Sequence, residues 1–189
     1  MSEDSLDQIL KTAEHKMTTA IEILGRDLQS VRTGRATPTL LDRIQVDYYG
    51  APTPINGVAN ISVPDPHLVV VQPWDKSMLQ PIEKAIQKSD LGINPTNDGN
   101  VIRLALPQLT QDRRKELVKQ VHSRAEEARV AVRNCRRDAL DGLRKAEKDG
   151  GISQEDERRA QDRLQKLTDQ FVKRVDEVSR GKETEVMEV

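Results

Sequence analysis

The chain has 189 residues, enough for one large domain or two small ones. Aromatic residues make up only 2% of it and charged residues 32%, a balance that suits long solvent-exposed helices better than one compact ball. A net charge of −1 excludes bulk attraction to nucleic acid, and a lone cysteine excludes an internal disulfide. No apolar run reaches the length of a membrane-spanning helix.

In chain order, Leu6, Leu10, Ala13, Met17, Ala20 or Ile21, Leu24, Leu28 and Val31 recur in threes and fours. That spacing predicts a first long helix, capped near Ser2 or Asp4 and running to about Arg32. The texture then changes. All nine prolines lie between Pro38 and Pro107, together with both tyrosines and the tryptophan. Within this stretch Ile44 to Tyr49 alternates like a half-buried strand ending at Gly50, and 58–63 and 68–72 read as further strands. Residues 78–88 predict a short helix with Ser77 at its N-cap and Pro81 in the first turn. Asn97-Asp98-Gly99-Asn100 is a turn signal before a last strand over 101–106. Trp74 is expected in the core of this unit, and strand alternation is expected to bury one of Tyr48 and Tyr49.

From Thr110 to Lys148 the chain reads as one uninterrupted amphipathic helix. Thr110 serves as N-cap, Asp112 and Glu116 lie near the positive end, and Lys145 and Lys148 near the negative end. Val121, Ala125, Ala128, Val132, Cys135, Ala139, Leu143 and Ala146 form its apolar face. At ~1.5 Å per residue this rod is about 55 Å long, so other long helices must lie beside it. Asp149-Gly150-Gly151 predicts a flexible tip turn, and Ser153 with Asp156 an acidic version of the capping box. Ala160, Leu164, Leu167, Phe171, Val175 and Val178 then carry a third long helix back antiparallel. Cys135 is expected as a small buried hydrophobe, and a reducing compartment fits the absence of disulfides.

The expected fold is therefore α+β. A long antiparallel three-helix bundle (1–31 with 106–189) carries a small β/α/β domain (32–105) inserted between its first and second helices. Two neighbouring chain crossings predict a bent molecule with a hinge, whose limits are Gly34 and Pro107.

Charge is unevenly placed along this plan. Residues 106–148 hold 12 basic and 7 acidic groups, whereas 149–189 hold 8 and 11. On a wheel of about 100° per residue, Lys115, Lys119, His122, Arg129, Arg133, Arg136, Arg137 and Arg144 share roughly a 100° arc of the central helix. The arc is centred about 100° from the apolar stripe, so these groups line a flank and not the seam. Pattern alone leaves two readings open. Regularly spaced arginines are what a phosphate backbone would meet. They are also what a solvated face looks like, or a face paired with carboxylates of neighbouring helices.

Catalytic chemistry finds little support. His15, His67 and His122 sit in three different elements without metal-ligand spacing. There is no phosphate-cradling glycine loop and no nucleophile elbow. A binding device is expected, with no enzymatic activity, cofactor or metal.

Several motifs go further. Val31-Arg32-Thr33-Gly34-Arg35-Ala36-Thr37-Pro38, Tyr48-Tyr49-Gly50 followed by Pro52-Thr53-Pro54, and Ser89-Asp90-Leu91-Gly92-Ile93-Asn94-Pro95 are three of them. Ile102-Arg103-Leu104 through Pro107 to Leu109-Thr110, and 129–139 of the central helix, are two more. Together they resemble the bacterial ribosome recycling factors, from Leu6 to the C-terminus. The resemblance implies an L-shaped molecule that acts after translation termination. Its bundle would lie along large-subunit ribosomal RNA, and elongation factor G with GTP would drive the subunits apart. Arg133 and Arg136 would contact that RNA, supported by Arg129 and Arg137, with Lys115 and Lys119 on the same row. The elbow would be Arg32, Thr33, Gly34 and Arg35 facing Ala105, Leu106 and Pro107, and the small domain would face elongation factor G. A cytoplasmic monomer without membrane contact is expected, and the acidic start, lacking a presequence, points to a bacterial source. Departures from the family pattern are Cys135, in place of an aliphatic residue, and the Gly150-Gly151 tip, where the bundle is expected to fray. Two other readings stay open: a coiled-coil scaffold for partner proteins, and a relative that binds ribosomes without splitting them.

Overall fold

The computed structural model describes residues 2–188, with side chains from Ser5 onward. The chain forms two compact units, one from the segment up to Arg32 together with Gln111–Glu188, the other from Thr33–Thr110.

The first unit contains α1 (Ser2–Gln29), α3 (Gln111–Lys148) and α4 (Gln154–Met187), each packed on the other two. The cap expected at Ser2 or Asp4 lies outside the described side chains. The buried stripe of α3 mixes sizes, with Ala125, Ala128 and Ala139 set among Leu117, Val121, Val132 and Leu143. Alanines keep the helix axes close, while Met17 of α1 and Leu164 and Phe171 of α4 supply volume to the shared core. A Cβ at Gly142 would make ordinary van der Waals contact with Ile9, at 3.7 Å. Cys135 is half-buried at the edge of this core.

Both ends of the α3–α4 turn are chemically closed. Gly150 takes φ +75°, and its N–H donates to the Glu147 carbonyl at 2.9 Å. The Gly151 N–H reaches back to the Ala146 carbonyl at 2.9 Å, which completes a Schellman motif. The glycine pair thus terminates α3 with its last carbonyls satisfied. The α4 cap is a variant of the expected box. Ser153 Oγ accepts from the Asp156 N–H at 3.1 Å, and the Asp156 carboxylate accepts from the same hydroxyl at 2.7 Å instead of reaching the Ser153 backbone N–H.

The second unit has a hairpin, β1 (Gln45–Tyr48) with β2 (Ala51–Pro54), and an antiparallel four-stranded sheet. The sheet contains β3 (Ala59–Asp65), β4 (Leu68–Pro73), β5 (Thr96–Asn97) and β6 (Ile102–Ala105), in the order β3-β4-β6-β5. Val69 faces Leu104 and Val71 faces Ile102 across the β4–β6 pair, all four fully buried. The helix α2 (Leu79–Gln87) brings Leu79, Ile82 and Ile86 to the same core. In the β5–β6 turn, the Val101 N–H, the Arg103 guanidinium and the Asn100 N–H hold the Asp98 carboxyl well below the usual carboxylate range.

Four expectations are corrected. Trp74 is not in the core but 64% exposed, because Val69, Val71 and Pro73 take the inward positions of β4 and the next residue falls outward. Tyr48 and Tyr49 are both exposed, at 39% and 81%: β1 ends beyond the core edge, and Tyr49 occupies the hairpin turn with φ +49°. Asp75, and not Ser77, caps the helical segment, accepting from the Ser77 N–H at 2.9 Å over a 3-10 turn that precedes α2. The first helix stops at Gln29, three residues before Arg32. The short strands β2 and β5 carry little apolar alternation and are not foreseen in the sequence.

Phe171 is 1% exposed, with the Arg174 guanidinium 4.9 Å above its ring. Phe171→Ala should lower stability by about 3–5 kcal/mol, read as a drop in the urea midpoint of the helical signal. A change under about 1 kcal/mol would mean that the bundle repacks around the cavity.

Candidate nucleic-acid interface

The cationic flank of α3 borders α4, and the antiparallel pairing of the two helices decides which cations are engaged. His122 pairs with Glu183 at 3.1 Å, Arg129 with Asp176, and Arg136 with the Gln165 side-chain carbonyl at 3.3 Å. In each pair the residue nearer the start of α3 meets one nearer the end of α4, as a hairpin of helices requires.

Arg129 is the most deeply engaged. Its Nε and one terminal nitrogen both donate to Asp176 Oδ1, at 3.0 and 2.6 Å, and the other terminal nitrogen reaches Glu126 at 3.1 Å. The side chain is 24% exposed, and the bond to Asp176 raises its pKa above the ordinary arginine value. This arginine is a clamp between two helices, with little donor capacity left for anything outside.

The rest of the row is looser. Arg133 is 52% exposed and touches Glu126 at 3.3 Å, so one carboxylate serves two arginines. Among the described residues Arg136 and Arg137 bond only neutral amides, Gln165 and Asn134. Arg144 reaches Asp141 at 4.0 Å. Lys115 and Lys119 are exposed and make no ion pair among the described residues. Exposed pairs of this kind contribute at most about 1 kcal/mol, so a phosphate can displace them at small cost. A band of cations therefore faces outward beside one fixed inter-helix clamp.

Cys135 contributes nothing reactive to this face. Burial pushes its thiol above the ordinary value, which keeps it protonated at neutral pH. Among the described residues no group of three His, Cys, Asp or Glu is placed to hold a metal ion. Nor is any helix of the described residues long and apolar enough to cross a membrane.

The residues expected at the elbow gather in the second unit's own architecture, save for Arg32. Arg32 and Arg35 are exposed, whereas Thr33 between them is buried. Gly34 has φ +70°, and a Cβ on it would meet Leu109 Cγ at 3.1 Å and the Pro107 carbonyl at 3.6 Å. The Ala36 N–H donates to the Pro66 carbonyl and the Leu106 N–H to the His67 carbonyl, each at 2.7 Å. Ala105 pairs with Leu68 in the sheet, and Pro107 is exposed beyond it. One β-turn thus ties down the outgoing and the returning chain.

Sequence reasoning did not supply the partners of the row: Glu126, Gln165, Asp176 and Glu183. Glu126 was detectable three residues before Arg129. The α4 partners needed the register of the helix pair, which local periodicity does not give.

The family model described as "Ribosome recycling factor" matches residues 24–187. A protein of Syntrophomonas wolfei named "Ribosome-recycling factor" is 57% identical over 184 residues, covering 97% of this chain and all of that one. One of the same name from Carboxydothermus hydrogenoformans is 55% identical with the same coverage. A solution structure of the ribosome recycling factor superposes with a TM-score of 0.74 at 44% identity, covering 97% of this chain and 98% of that chain. A second structure aligns with a TM-score of 0.62 at 44% identity, covering 96% and 98%. It belongs to models of the T. thermophilus ribosome recycling factor and E. coli elongation factor G bound to the E. coli post-termination complex.

The clamp and the outward band separate in stability measurements. Asp176→Ala should cost about 1–3 kcal/mol by leaving Arg129 without its main partner, and Arg133→Ala less than about 0.5 kcal/mol. Urea unfolding of the two variants checks this, and equal losses would place both arginines in the same structural class.

Proposed function

The chain belongs to the ribosome recycling factor family, and on that premise we propose that it acts after translation termination, when messenger and deacylated transfer RNA still occupy the ribosome. It works in ribosome recycling, on ribosomes inside the cell and together with elongation factor G. In finer detail, the bundle binds the ribosomal RNA of the large subunit, and elongation factor G with GTP then separates the subunits. GTP hydrolysis belongs to that partner. This chain contributes binding and shape and performs no chemical step, and it works as a cytoplasmic monomer.

The observation that carries the RNA assignment is the outward band of α3. Arg133, Arg136 and Arg137, with Lys115 and Lys119, meet the RNA backbone, while Arg129 holds α4 in place beneath them. Arginine suits this work because its planar fork donates two hydrogen bonds to one phosphate or base edge. The neutral amides that hold Arg136 and Arg137 orient the guanidinium groups without neutralising them. A scaffold for partner helices would gain by pairing these cations with its own carboxylates, and here several are not so paired. The elbow lies where Arg32-Thr33-Gly34-Arg35 leaves the first unit, with Gly34 permitting a backbone turn that other residues resist, while Ala105-Leu106-Pro107 anchors the returning chain within the second unit.

Co-sedimentation with large ribosomal subunits across a salt series tests the assignment. Binding should weaken steeply with salt, and Arg133→Ala/Arg136→Ala should flatten the log–log slope by about one unit per phosphate contact removed. Helicity should stay at the wild-type level. Binding indifferent to salt and to both substitutions would return the row to a structural role. A subunit-splitting assay with elongation factor G and GTP separates recycling from ribosome binding alone.

A further inference from the structure

The polar pairs between α3 and α4 follow one register. His122 meets Glu183 and Arg129 meets Asp176, so a step of seven residues along α3 is matched by a step of seven back along α4. Seven residues are close to two helical turns, which return each side chain to the same face. The next step brings Arg136 opposite Asp169. By position, this third rung is an arginine–carboxylate pair like the second.

The third rung is built differently. Arg136 donates to Gln165 Oε1 at 3.3 Å, and Gln165 Nε2 donates to Asp169 Oδ1 at 2.9 Å. The amide has one orientation open to it here, because a guanidinium only donates and a carboxylate only accepts. Gln165 sits one turn before Asp169 on α4 and stands between the two charges. The corresponding places on the other rungs hold no such side chain. One turn before Asp176 is Val172, packed against the bundle core, and one turn before Glu183 is the buried Ser179. Asp176 is therefore free to reach Arg129, at 2.6 Å.

The intervening amide decides what kind of arginine stands at the rung. A guanidinium against a carboxylate has its charge compensated from within, as Arg129 does. Arg136 spends one N–H on a neutral oxygen and keeps its charge and its other donors.

We propose that Gln165 is a positioning residue for RNA binding: it diverts Asp169 and so keeps Arg136 a phosphate-binding arginine instead of a second inter-helix clamp. This rests on the RNA contact of the α3 row proposed above. Loss of the amide lets Asp169 close on Arg136, which adds an ion pair within the bundle and removes a contact outside it.

The test is co-sedimentation with large ribosomal subunits across a salt series, comparing wild type, Gln165→Ala, Asp169→Asn and the double variant. Gln165 is exposed and alanine favours the helix, so the fold is safe, and Gln165→Ala alters no charge. Gln165→Ala should bind about fivefold more weakly than wild type, with a salt slope shallower by up to about one unit. In the Asp169→Asn background the same substitution should change neither, because no carboxylate remains to capture Arg136. In the free chain, Asp169→Asn should lower the urea midpoint of Gln165→Ala more than that of wild type, reporting the new ion pair. Unchanged binding of Gln165→Ala, an equal loss in both backgrounds, or equal midpoint shifts overturns the role of Gln165. Wild-type binding that ignores salt and Arg136→Ala would instead remove the RNA assignment on which that role stands.

Discussion

The buried seam of α3 is the constraint on which the bundle depends. Alanines at 125, 128 and 139 bring its neighbours close, and the large side chains of α1 and α4 fill the space they leave. A helix held this way cannot rotate about its axis without unpacking both neighbours. Fixing the seam therefore fixes every other face, because about 100° separates consecutive residues. The direction of the cation row follows from where the alanines are.

Electrostatics completes what packing begins. The acidic α4 lies beside the most basic helix and engages the side chains that face it, Arg129 through Asp176 and the His122 ring through Glu183. Arg136 meets an amide of that helix, and the remaining cations stay available to other anions. One row therefore contains two kinds of arginine: half-buried Arg129, which ties α4 to α3, and exposed ones held only by amides or by weak surface pairs. The net charge of −1 conceals this local field.

Much of this was legible in the sequence because long helices write their faces in period. Gln111–Lys148 and Gln154–Met187 fall where the apolar spacing places them, and the motifs at 31–38 and 129–139 identified the family. The second unit was less legible. Its strands are short, and Trp74 looks like a core residue by size although it follows the inward Pro73 that ends β4 and lies exposed. Tyr49 sits in a turn conformation that its residue type does not announce. The division of the arginine row was out of reach for a related reason: Asp176 meets Arg129 across 47 residues of sequence, and no local pattern carries such a register.

The turn at Pro66-His67, which receives Ala36 from one direction and Leu106 from the other, bears on the order of folding. The bundle is discontinuous, so α1 must find α3 across a long intervening loop. Closing a flexible loop of that length carries an entropic penalty of about 4 kcal/mol. Once the inserted unit folds, two backbone bonds to adjacent residues hold the flanking chains side by side, and that penalty has already been met. A hairpin of α3 and α4 closes locally through its short tip, whereas α1 is joined to α3 only through the inserted unit. Lesions in this turn would then slow the assembly of a bundle to which the turn does not belong.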